Sequence, residues 1–96
     1  MLNMVTIVGR IMHIDTARKH IHVRIFGTDN SKYKDVIVTV NDKMMDNIQE
    51  HCAVYDLIGV KGALSLKDID TIEAEKVTFL SRPKITESDI DNKGGD

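Results

Sequence analysis

A chain of 96 residues, 42% hydrophobic and 29% charged, fits one small domain with a modest core and leaves no room for a second. No apolar run approaches the roughly 20 residues that cross a bilayer, and the opening Met1-Leu2-Asn3-Met4-Val5-Thr6 lacks the pattern of a secretory signal, so a cytoplasmic location is expected. A single cysteine, Cys52, excludes an intramolecular disulfide and argues against a Cys-based zinc site.

The run from Leu2 to Ile14 is almost continuously apolar and β-branched, longer than one flat strand, with Gly9 near its middle. A glycine there predicts a bulge or sharp bend, of the kind that lets one strand serve both halves of a small barrel. Lys19 to Phe26 alternates with period two. Ile21, Val23 and Ile25 point one way, and His20, His22, Arg24 and Phe26 the other. After the turn formers Gly27-Thr28-Asp29-Asn30-Ser31-Lys32, the segment from Lys34 to Asn41 alternates again. Here Val36, Val38 and Val40 form one face and Asp35, Ile37, Thr39 and Asn41 the other. Asp42 reads as the N-cap of a short amphipathic helix that sets Met44, Met45, Ile48 and Cys52 on one side, Cys52 being a small buried apolar residue. Tyr55 to Leu66 and Thr71 to Leu80 read as two further strands joined by a polar turn at Lys67-Asp68-Ile69-Asp70.

Three strands, a helix and two strands predict an all-β chain with one short helix, arranged as a five-stranded OB-fold Greek-key barrel whose end the helix plugs. The barrel domain is expected over residues 1–82. Residues 83–96, polar, acidic and aperiodic, are expected to form a flexible acidic C-terminal tail.

Charge is unevenly spread. Residues 1–34 carry six Lys or Arg against two Asp, residues 35–82 five against nine acidic residues, and residues 83–96 two against four. If the first third forms one face of a barrel, that face attracts phosphate and its binding falls steeply with salt; the alternative is that these charges only solvate a surface.

Three stretches resemble bacterial single-stranded DNA-binding proteins. Met1-Leu2-Asn3 with Val5 and Val8-Gly9-Arg10 looks like that family's first strand. Asp56-Leu57-Ile58-Gly59-Val60-Lys61-Gly62-Ala63-Leu64 is similar to its fourth, and Ala74-Glu75-Lys76-Val77-Thr78-Phe79-Leu80 to its closing strand. The resemblance spans residues 1–81 and implies a homo-dimer or homo-tetramer, with single-stranded DNA, or RNA as the alternative, held by base stacking in a basic groove, and with replication or repair proteins as further partners. The sequence departs from the family where its stacking aromatics fall, near Asp29, Asp35 and Asn41, none of which is aromatic. The connections at Asp15 to Lys19 and Lys67 to Asp70 are short, and the tail ends Gly94-Gly95-Asp96 without an apolar tip.

The remaining candidates for DNA contact are Arg10, Arg18, Lys19, His22, Arg24, Phe26, Lys32, Tyr33, Lys34 and Lys43. Phe26 and Tyr33, the aromatics of the basic third, are the expected stacking pair; each would otherwise pack the barrel rim or a subunit interface. His20 and His22 face the same way but lack a third ligand, so no metal or other cofactor is expected. Asp68, Asp70, Glu73 and Glu75 lack calcium-loop spacing, and no P-loop, dinucleotide fingerprint or nucleophile elbow occurs, which argues for a binder and against an enzyme. A protein-interaction or primosome-like accessory module with weak or no DNA binding is the competing reading.

Overall fold

The computed structural model describes residues 3–27 and 31–81, and the predicted tail lies outside them. Strands β1 (Val5–Asp15), β2 (His20–Phe26) and β3 (Tyr33–Thr39) precede helix α1 (Asp42–His51), and β4 (Leu57–Leu64) and β5 (Thr71–Ser81) follow it. The strands close into a barrel in the order β1-β2-β3-β5-β4, the five-stranded OB fold. All neighbours are antiparallel except β3 and β5, which close the barrel in parallel through Ile37, Val38 and Thr39 against Thr71, Ile72 and Glu73.

One strand does serve both halves. β1 pairs with β4 from Val5 to Arg10 and with β2 from Arg10 to Asp15. The expected bulge at Gly9 is instead a register shift between Ile11 and His13, which leaves Met12 out of the ladder. Gly9 is needed for close approach: a Cβ there would come within 2.8 Å of Val23 Cγ1 and strike the Arg24 carbonyl, so only glycine lets β2 draw near where β1 changes partners.

Alternation sorts the side chains as predicted. Ile11, Ile21, Val23, Val36, Val38, Val40, Ile58, Val60 and Ile72 are buried together, and Met45 and Ile48 of α1 join them across the barrel end. Ile25, Met44 and Cys52 pack against this core half-buried, so Cys52, read as buried, is only partly so. Burying a side chain such as Ile48 contributes roughly 1.5–3 kcal/mol, so the helix belongs to the core and does not merely ride on it.

The helix begins one residue earlier than expected, with Asn41 as the N-cap: its Oδ1 accepts from the Met44 amide at 2.8 Å, while Asp42 adds a negative charge to the first turn. β4 starts at Leu57 rather than Tyr55, because Tyr55 turns at φ 80° and Asp56 accepts at Oδ2 from the Ala53 amide at 2.9 Å. That turn is fastened to the irregular part of β1, since the Tyr55 amide donates to Ile11 O at 2.6 Å and the Ile11 amide to Asp56 O at 2.9 Å. β4 also ends early, at Leu64, where Ser65 Oγ accepts from the Lys67 and Asp68 amides and starts the next turn.

Candidate nucleic-acid interface

Residues opposite one another in an antiparallel ladder project from the same face, so the register fixes the outer surface of β1, β2 and β3. Phe26 lies opposite Tyr33 at the hairpin end; next come Arg10, Arg24 and Asp35 in one row, then His13, His22 and Ile37, then Asp15, His20 and Thr39. Core residues fill the alternate positions, so this face is free of barrel packing.

At its hairpin end Phe26 and Tyr33 meet with ring centroids 6.3 Å apart and a 58° tilt. They remain 44% and 57% exposed, so neither is consumed by rim packing within the chain. Beside them is a shallow hollow of about 310 Å³ lined by Ile25, Phe26, Gly27, Lys32, Tyr33 and Lys34. The Gly27 amide donates to Lys32 O at 2.9 Å and closes the base of the connection.

Arg24 is the best-ordered cation of the face. Its Nε and Nη2 donate to Asp35 Oδ1 and Oδ2 at 2.7 and 2.9 Å, a bidentate fork, and its Cζ lies 3.9 Å from the Tyr33 ring centroid. The hydrogen bonds from Arg24 hold the Asp35 carboxyl below the usual carboxylate range, desolvation only partly opposing them, and Asp35 in turn raises the guanidinium pKa. Arg10 donates from Nη1 to Tyr55 O at 3.0 Å, which ties the end of this row to the turn before β4.

The other candidates are spread more widely. His22 meets His13 edge to face with ring centroids 5.3 Å apart, and no group of three or more metal-ligating side chains converges among the described residues. Lys34 sits opposite Ile25, on the core side of the strand pair, and its Nζ reaches Asp70 at 2.9 Å. Arg18, Lys19 and Lys43 gather at the far end, around the β1–β2 turn and the start of α1. There Arg18 pairs with Asp15 at 3.1 Å and Lys19 with Asp42 at 2.7 Å. The Arg18 amide bond to Asp15, helped by its side chain, lowers the Asp15 pKa against desolvation. Arg10, His22, Arg24, Phe26, Lys32 and Tyr33 thus share one region, Lys34 borders it, and three cations stand apart.

Two participants escaped the sequence reading. Asp35, noted in the sequence only as a non-aromatic residue where the family stacks a base, is engaged by Arg24. Tyr55, read as the start of a strand, is an exposed residue whose carbonyl accepts from Arg10. Pairing Phe26 with Tyr33 across the hairpin is the sequence signal that would have set Arg24 opposite Asp35; nothing local announces Tyr55.

The same arrangement of strands is found in solved structures. The mitochondrial single-stranded DNA-binding protein Rim1 of S. cerevisiae superposes with a TM-score of 0.73 at 14% identity, over 86% of this chain and 99% of that one. A small single-stranded DNA-binding protein from Streptomyces coelicolor superposes at 0.62 and 18% identity, over 82% and 93%. The chain shares the five-stranded barrel fold of these two proteins. That fold is also shared with an OBody bound to hen egg-white lysozyme, at TM-score 0.56 and 15% identity over 83% of each chain. No family model and no curated protein matches the sequence.

Proposed function

We propose that the chain is a divergent member of the single-stranded DNA-binding proteins, a binder and not an enzyme, that takes bases on Phe26 and Tyr33 and phosphates on the neighbouring cations. The observation that carries this reading is the exposed Phe26–Tyr33 pair beside Arg24 on the outer face of β1, β2 and β3. The likeness to Rim1 and to the Streptomyces protein supports it. Arg10 and Lys32 border the aromatic pair, His22 continues the face, and Lys34, Arg18, Lys19 and Lys43 extend the path. The reading assigns a homo-dimer or homo-tetramer acting in the cytoplasm in DNA replication, recombination or repair, with DNA as substrate, RNA as its alternative, and replication or repair proteins as partners. Val8, exposed on β1, and Met4, exposed just before it, support self-association along that strand.

Fluorescence anisotropy with labelled single- and double-stranded oligonucleotides tests it, beside light scattering for the subunit count. Single strands should be preferred, and Tyr33→Ala or Phe26→Ala should weaken binding by about 5- to 150-fold, the equivalent of roughly 1–3 kcal/mol per stacked base. Duplex bound as well as single strands, or no effect of either substitution, would refute the assignment.

A protein-interaction module draws support from a separate observation. Leu66 and Ile69 stand 92% and 88% exposed on the β4–β5 connection, whose turn is ordered by Ser65 and by Thr71 Oγ1 donating to Ile69 O at 3.0 Å. A defined oligomer that binds no oligonucleotide would favour this reading.

A further inference from the structure

The Arg24–Asp35 pair lies where a phosphate contact would be expected, yet its geometry suits a different role. A carboxylate bound edge-on to a guanidinium, with two contacts of 2.7 and 2.9 Å, already supplies the acceptor geometry a phosphate would offer. A phosphate must therefore displace Asp35 or settle for the N–H groups left over, and it meets a pair whose net charge is near zero. Electrostatics gives Arg24 little to contribute to backbone binding.

Position tells more than charge. The Asp35 fork fixes the guanidinium in its own plane, and that group sits over one face of Tyr33, with Cζ 3.9 Å from the ring centroid. Tyr33 is two residues from Asp35 on the same face of β3, so the three side chains form one cross-strand unit. With one ring face covered by Arg24, Tyr33 is still 57% exposed, and Phe26 flanks it. The side chains that would otherwise need ordering when a base arrives are already held.

We propose that Asp35 is a positioning residue for a nucleobase site on Tyr33: it holds Arg24 over one face of the ring and so turns this position from a phosphate contact into a base-stacking platform. The inference rests on the nucleic-acid reading above and goes further, since it assigns Asp35 a favourable part in binding. A plain repulsive carboxylate would act in the opposite sense.

The test compares two ligands of equal length, oligo-dT and its abasic counterpart, by anisotropy with the full chain and with Asp35→Asn, Asp35→Glu and Tyr33→Ala. The wild-type protein should prefer the base-bearing strand by about 5- to 150-fold. Asp35→Asn should cut that preference at least about threefold, toward the Tyr33→Ala value, while the logarithmic salt slope for oligo-dT steepens by about 0.7 as Arg24 is released to bind phosphate. Asp35→Glu, which keeps a carboxylate within reach of the fork, should recover most of the preference. Both members of the pair lie at the surface, so circular dichroism should show the variants folded. An undiminished base preference in Asp35→Asn, with tighter binding to both ligands, would overturn the positioning role and leave the DNA-binding reading standing. Failure of the wild-type protein to bind either ligand would overturn both.

Discussion

Salt dependence offers the sharpest measurement of what the interface uses. Seven of the candidate residues carry permanent positive charge: Arg10, Arg18, Lys19, Arg24, Lys32, Lys34 and Lys43. Four of them are held by carboxylates of the same chain, Arg18 by Asp15, Lys19 by Asp42, Arg24 by Asp35 and Lys34 by Asp70. Counterion release gives a slope of log K against log salt near −0.7 per phosphate neutralised on a single strand, so seven free cations imply about −5 and three imply about −2. Between about 50 and 200 mM salt the first case loses about 900-fold in affinity and the second about 20-fold. With the four ion pairs kept closed in the complex, the predicted dependence is the shallow one, not the steep one expected from the sequence. Anisotropy titrations of labelled oligo-dT across this range should return the smaller slope. Replacing Asp15, Asp35, Asp42 and Asp70 together by Asn should move it toward the larger. A wild-type slope near −5 would show that the pairs open freely in the complex and that the carboxylates do not restrain binding. A flat response would remove phosphate from the interface altogether.

Two further predictions concern stability. Gly62→Ala should lower it by about 1–3 kcal/mol, since the new Cβ would lie 2.9 Å from Glu73 C and 3.0 Å from Ala74 Cα, backbone atoms that cannot swing aside. At roughly 4–8 °C per kcal/mol for a domain of this size, a thermal melt resolves it, and an unchanged Tm would refute the packing argument. The second is pH: Asp35 and Asp15 have depressed folded-state pKa values, so their contribution is complete above the ordinary carboxylate pKa of about 4 and is lost as pH falls through the depressed values. Asp35→Asn should therefore flatten the fall of Tm below about pH 4; identical Tm–pH curves for variant and wild type would count against a stabilising ion pair.

The barrel was legible because its signals are local. Ile21, Val23, Val36 and Val38 reveal inward faces by period two alone, and Met45 and Ile48 reveal a helix by their spacing. Strand ends and the irregularity of β1 were misplaced because they depend on partners distant in sequence. Met12 leaves the ladder where Ile11 bonds to Tyr55 and Asp56, and β4 is shortened at Tyr55 by the same contacts. The charge gradient hid the ion pairs for a related reason. Segment totals treat residues 1–34 and 35–82 as separate bodies, but barrel closure interleaves them: Asp35, Asp42 and Asp70 come from the acidic segment and bind Arg24, Lys19 and Lys34 of the basic one. Only the Asp15–Arg18 pair was readable from spacing.

That interleaving bears on the proposed base stacking, since the face has no aromatics at the positions the resemblance implies. Asn41 is consumed as the cap of α1, and Asp35 is bound to Arg24, so neither can serve. Two residues along β3 from Asp35, a shift of about 7 Å that preserves the outward direction, stands Tyr33, with Phe26 directly across the ladder. The exposed aromatic pair lies at the hairpin end, next to Lys32, and an ion pair occupies the row beside it. A strand bound here would cross the sheet nearer the β2–β3 connection, with fewer phosphates engaged and a larger share of its affinity carried by stacked bases.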